Sequence, residues 1–244
     1  MNRMTTGRWL QYGMIAIYIL TISCVLMTQY GNAYYCRLDF LKDLMAARNF
    51  GLIFLLPILY YISLSFLSDF TVNQVLRRNK KINIWTKQQE NILLFALVSS
   101  LLWMAVCILI NPGYPVYNWG EQDSMFYYTT QNVSGYSLYA TIFLMYGCCV
   151  LRIYLLGTVA QTCFWFSNSM ILGNVIVAAL MVIEMGTGRV RWLSNLYSVD
   201  YNTWVSKQSK QLMFLGMVLW GVLLAGCNYY AIRKKEFQNI EKKR

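Results

Sequence analysis

The chain has 244 residues, of which 57% are hydrophobic and 13% charged, and its mean hydropathy is +0.40. A soluble domain carries about 25% charged residues, so the composition argues against a water-soluble globule and excludes a disordered chain. The net charge of +11 reads, in so apolar a chain, as cytoplasmic loops facing anionic lipid and not as a nucleic-acid footprint.

The chain contains no histidine, which closes every mechanism that needs an imidazole base or ligand. The seven cysteines form no CxxC pair, and most lie in apolar runs. They read as small buried hydrophobes, with no zinc site and no disulfide framework. Cys36 is the one expected in an aqueous loop.

A bilayer core about 30 Å thick takes about 20 apolar residues of helix to cross. Six such runs, at about 9–29, 49–69, 91–111, 137–157, 159–185 and 211–231, predict an all-α polytopic membrane protein with six transmembrane helices in one domain over 1–244. The first run follows Arg3 and Arg8 like a secretory signal, but no small-x-small cleavage site follows it. It reads as a retained signal anchor. Trp9 and Tyr12 at one end, and Tyr30, Tyr34 and Tyr35 at the other, fit interfacial belts.

Residues 70–90 join the second and third crossings. Val72, Val75 and Leu76 make a short helical stripe, followed by Arg77, Arg78, Lys80 and Lys81, then Ile82, Ile84 and Trp85. An amphipathic element with a basic shoulder and an aromatic anchor can seat in a partner's groove. It can equally lie on anionic lipid. Residues 112–136 hold no Lys or Arg but many aromatics, and Pro112, Gly113 and Pro115 break the helix before them. This segment is expected to fold as a lid over the outer helix ends.

The apolar stretch 138–185 would be about 72 Å as one helix, so it must fold into two crossings. Arg152 and Gly157-Thr158 mark the expected turn; the alternative puts Arg152 inside a crossing as a polar contact. The fifth crossing carries Gln161, Ser167, Asn168, Ser169 and Asn174. Gln161 and Asn168 share a spacing of seven, as do Ser167 and Asn174, which places each pair near one helix face. These residues read as a cargo-path lining or as interhelical hydrogen bonds. Glu184 reads as a gating carboxylate or as an interfacial acid near Arg189 or Arg191. Residues 186–210, with Trp192 and Trp204, form a second outer segment, interfacial or re-entrant. Gly221 and Ala225 in the last crossing have small-xxx-small spacing.

Lys and Arg set the orientation. Fourteen lie on one side: Arg3 and Arg8, the 70–90 connector, Arg152 and the C-terminal tail. Seven lie on the other. Both termini are therefore expected inside, which agrees with an even number of crossings. No Gly-Lys dipeptide occurs, so a phosphate-cradling P-loop is absent. Nucleophile-elbow and zinc-helix motifs are absent too. No catalytic, cofactor or metal site is expected.

This arrangement resembles the membrane subunit of an ABC-2 type exporter, of the small kind found with bacteriocin immunity and peptide export. The resemblance implies a bacterial plasma-membrane permease with six crossings and both termini inside. It implies a separate ABC ATPase subunit and a second permease copy or paralogue as partners, in lipid, with no nucleic acid. The ATPase-coupling segment would then hold Arg77, Arg78, Lys80, Lys81, Trp85 and Lys87 as contacts. Gln161, Ser167, Asn168, Asn174 and Glu184 would line the path of a hydrophobic or amphipathic cargo, peptide or lipid-like. Two other readings stay open: a non-transporting immunity or assembly partner, and a stand-alone secondary carrier.

Overall fold

The structure, a computed structural model, describes residues 34–69, 81–110, 112–167, 169–187, 200–205 and 207–234, with scattered helical positions between 13 and 24. Much of the first predicted crossing, and Arg77, Arg78, Lys80 and Asn168, lie outside the described residues.

Among the described residues all regular structure is helical: α1 Arg37–Met45, α2 Ala47–Asp69, α3 Lys81–Ile110, α4 Met125–Thr130, α5 Leu138–Ser167, α6 Met170–Thr187, α7 Tyr201–Val205 and α8 Lys207–Lys234. Three of these, α3, α5 and α8, are long and apolar enough to cross a membrane. A fourth joins them if α1 and α2, which meet at a 73° bend, make one broken span. The 18 residues of α6 reach about 27 Å, just short of a bilayer core.

Two boundaries differ from the sequence reading. The expected turn at Arg152 and Gly157-Thr158 does not form, because α5 runs unbroken through both. Leu155, Leu156, Val159 and Ala160 are buried on either side of Gly157, so packing outweighs the weak helix propensity of one glycine. The helices separate instead between Ser167 and Met170, where the Ser167 hydroxyl donates to the Ser169 carbonyl oxygen at 3.2 Å and the Ser169 N–H donates to that same hydroxyl. The third crossing also starts earlier than expected. Lys81 to Glu90 form the first turns of α3, since no glycine or proline interrupts that segment.

α5 is the central pillar and packs against α2, α3, α6 and α8. Its crossing with α6 is so close that a Cβ on Gly173 would stand 2.9 Å from the Ala160 carbonyl oxygen. α8 lies at the rim, with Leu215, Val218, Leu219, Val222 and Leu223 exposed along it.

The 112–136 segment, expected as a lid, packs with α1 and α7 into a cap. α1 carries Arg37, Asp39, Lys42 and Asp43, too many charges for a lipid-facing span, yet its apolar side is fully buried. Arg37 donates to the carbonyl oxygens of Tyr114 at 2.9 Å, Pro112 at 3.1 Å and Ile108, which ties α1 to the end of α3. Asp39 accepts from the Cys36 N–H at 2.7 Å, Trp119 Nε1 at 2.6 Å and Tyr201 Oη at 2.8 Å. Three separate segments thus meet on one carboxylate. Around it Trp119 stacks on Phe126 at 5.2 Å and meets Tyr201 and Trp204 edge-on. Cys36, expected in water, is completely buried here.

Burial pushes the Asp39 carboxyl above the usual carboxylate range, outweighing the three donors that pull it down. A carboxyl raised in the folded state stabilises fully below its unfolded value of about 4, and that contribution is lost as pH rises through the folded value. The cap is therefore expected to be tighter in mild acid than at neutral pH. Trp fluorescence in detergent from pH 4 to 8 checks this, and Asp39→Asn is expected to flatten the profile. Gly173→Val is expected to destabilise the protein by about 1–3 kcal/mol, because backbone stands in the way. Gly147→Ala, with open space around it, is expected to be neutral or to stabilise by up to about 1 kcal/mol. Thermal unfolding of both variants in detergent separates the two cases.

Candidate functional site

The buried polar side chains of this bundle fall into two clusters strung along α5. The inner one lies between α5 and the first turns of α3. Gln89 Nε2 donates to Gln161 Oε1. Tyr154 Oη donates to Gln89 Oε1 at 2.6 Å, and Thr158 Oγ1 reaches the same oxygen at 3.3 Å. Gln161 Nε2 donates to Gln88 Oε1 at 3.0 Å and to the Trp85 carbonyl oxygen at 3.3 Å. Trp165 Nε1 donates to Gln88 Oε1 at 2.8 Å. One turn along, Thr162 Oγ1 donates to Asn228 Oδ1 at 2.7 Å and brings in α8. Gln88 and Gln161 are fully buried.

The spacing has a simple origin. Tyr154, Thr158, Gln161 and Trp165 follow one another at four, three and four residues, and Thr162 lies four beyond Thr158, so they share one broad helix face. Gln88 and Gln89 meet that face from α3. Each primary amide offers donors and acceptors at once, so the set ties α3 to α5 without any net charge, leaving Gln88 Nε2 and Trp85 Nε1 unbonded.

The outer cluster centres on Arg152, fully buried near the middle of α5. Its guanidinium lies 3.8 Å from the centre of the Phe50 ring and donates to the Met45 carbonyl oxygen. Glu184 of α6 is buried and close enough for its charge to act on the guanidinium. Met45 is the last residue of α1, where the helix leaves its final carbonyls without intrahelical partners. Asn49 Nδ2 serves another of them, the Asp43 carbonyl oxygen, at 2.8 Å. Arg152 thus satisfies backbone freed by the 73° bend, and its charge suits the negative end of α1.

The expected path-lining set is divided by these positions. Gln161 belongs to the inner cluster. Ser167 and Ser169 close the turn. Asn174 Nδ2 donates to Ser63 Oγ at 3.0 Å and ties α6 to α2. Glu184 is buried, and Arg189 and Arg191, its expected alternative partners, lie outside the described residues. The seven-residue spacing that joined Ser167 to Asn174 does not describe one face, since a turn separates them. Reading the sequence missed Gln88, Gln89 and Asn228 because they fall near the ends of predicted crossings. Three amide residues in an otherwise apolar setting were the available signal.

Of the expected coupling contacts, Trp85 is half-buried and packs on the small cluster of Ile84, Trp165 and Ala231. Lys87 is exposed and pairs with Glu90 at 2.8 Å. Lys81 opens α3. The arrangement holds no nucleophile–base pair. What it can do is lock and release helices. Comparison with protein-family models, with curated proteins and with solved structures finds no match for this chain.

Gln161→Leu leaves Gln88, Gln89 and the Trp85 carbonyl short of partners and is expected to cost about 2–4 kcal/mol. Replacing all three glutamines by leucine is expected to cost less than the sum of the single changes, because no buried amide is left without its amide partner and only Trp165 Nε1 and Tyr154 Oη lose acceptors. Unfolding of single and triple variants in detergent measures the difference.

Proposed function

We propose that the chain is the membrane-spanning permease subunit of an ATP-driven ABC-2 type exporter, working with a separate ATPase and a second permease subunit. The observation that carries the reading is the continuity of α3. One helix runs from Lys81, beside the basic connector, through Gln88 and Gln89 into the bundle. A load on its exposed first turns, at Ile82, Asn83, Thr86 and Lys87, acts directly on the hydrogen bonds to α5.

The charge distribution supports this reading. With Arg152 buried in the bundle, thirteen Lys and Arg still fall on the proposed cytoplasmic side against seven outside. Six crossings require the first run, the 23-residue α2 and the short α6 each to serve as one. α6 can do so where the bilayer is slightly thin. The absence of a phosphate-binding loop leaves ATP hydrolysis to another chain. The apolar walls and neutral amides suit a hydrophobic or amphipathic cargo better than a hydrated ion.

Co-purification tests the proposal. The chain is expected to retain a stoichiometric ATPase subunit from its native membrane. Arg78→Glu with Ile82→Glu is expected to lower that recovery at least about tenfold, while thermal stability is kept because Ile82 is exposed. Full recovery and normal ATP-dependent export by the double variant would sink the coupling assignment. Cargo movement in proteoliposomes without ATP would point to a secondary carrier.

A further inference from the structure

The contact between α5 and α8 sets two cysteines against each other. Three pairs fix its register. Thr162 Oγ1 donates to Asn228 Oδ1 at 2.7 Å. Trp165 and Ala231 pack in one apolar cluster. The Phe166 and Tyr230 ring centroids are 5.9 Å apart. The partner numbers rise together, so the two helices run parallel and in step along this stretch. Cys163 lies three residues before Phe166, and Cys227 three before Tyr230, which puts each cysteine on the same helix face as its ring and one turn away. Each is also the sequence neighbour of a member of the 2.7 Å hydrogen bond. Contacts between the two helices therefore bracket the cysteine pair on two sides. The thiols are close enough for a charge on one to act on the other.

The surroundings of this pair differ from those of the other core cysteines. Cys163 and Cys227 are free and half-buried, whereas Cys107 and Cys149 are sealed in the core. A disulfide spans Cα atoms about 4.4–6.8 Å apart. Side chains as short as those of Thr162 and Asn228 bond directly only where two helix axes come close, so the cysteines beside them need little backbone movement to pair. A thiol at this depth of a membrane helix is reached from lipid more readily than from water. The tie would also matter mechanically. Only 12% of the apolar window of α8 is buried, against 50% in α3 and in α5, so few contacts hold α8 in place.

We propose that Cys163 and Cys227 are a reversible oxidation site, closed to a disulfide by a lipid-soluble quinone, and that the bond fastens α8 to α5. Two S–H bonds break and one S–S bond forms. The two protons and two electrons pass to the quinone, which leaves as the hydroquinone. Exchange with a small dithiol reopens the bond. The proposal rests on the α5–α8 contact and not on ATP coupling, so the two fail separately.

The test uses the full chain in nanodiscs, with a short-chain ubiquinone as oxidant. Thiols are counted by maleimide mass after denaturation, and linked peptides are mapped without reductant. The oxidised chain is expected to take up two fewer labels than the seven of the reduced chain. The peptides holding Cys163 and Cys227 are expected to be joined until dithiothreitol is added. Oxidation is expected to raise the unfolding midpoint by about 5 °C. Cys163→Ser and Cys227→Ser are each expected to abolish both the label loss and the shift, and Cys148→Ser, at a half-buried cysteine elsewhere on α5, is expected to abolish neither. Alanine versions of the first two keep the comparison open should a serine variant fail to fold. Seven labels on the quinone-treated chain would overturn the proposal. So would label loss that persists without Cys163 or Cys227. A link from either residue to another cysteine, or to a second copy of the chain, would overturn it too.

Discussion

Lipid offers no hydrogen bonds, so each polar side chain that α5 turns inward must find its partner on another helix. That constraint orders the bundle. α5 presents Arg152, Thr158, Gln161, Thr162 and Trp165 to its neighbours, and α1, α3, α6 and α8 each meet it with a matching group. Apolar packing brings helices together with little preference for register, because sliding by one turn exchanges one leucine contact for another. A buried amide that must reach a particular amide allows no such slip. The polar ties therefore fix which turns face each other, and apolar contacts such as Gly173 against the Ala160 backbone fix how closely.

The two polar clusters solve different problems. Arg152 exists beside a broken helix. A chain that turns 73° at Ala46 frees carbonyls that water would otherwise serve, and the arginine serves them from a neighbouring helix. A cation so placed needs compensation, which the end of α1, the Phe50 ring and Glu184 supply together. Its removal would leave charge and backbone uncompensated at once, so it belongs to the fixed part of the protein. The glutamine cluster carries no charge.

The sequence declares its helical, membrane-type character through uninterrupted apolar runs, and its aromatic outer segment through composition. It conceals the turn after Ser167. A glycine and an arginine in mid-run look like punctuation, whereas a serine whose hydroxyl bonds the backbone of the serine two residues on looks like an ordinary polar residue. Only the packing around Gly157 shows that the helix has reason to continue. The inner cluster was half visible. Gln161 stood out in its apolar run, but its partners Gln88 and Gln89 lay in a stretch assigned to the connector. Their role depends on α3 beginning at Lys81, a fact of helix continuity and not of composition. Asp39 was hidden for a similar reason: its partners Trp119 and Tyr201 are 80 and 162 residues away.

These differences give the molecule a stiff end and a yielding end. At the outer end, α1, the 112–136 segment and α7 share one carboxylate and a continuous set of ring contacts, so none of them moves without disrupting the others. At the inner end, α3, α5 and α8 are joined by neutral amides and hydroxyls, whose hydrogen bonds each contribute only about 1 kcal/mol net. A displacement imposed on the first turns of α3 meets little resistance there and much resistance at the cap.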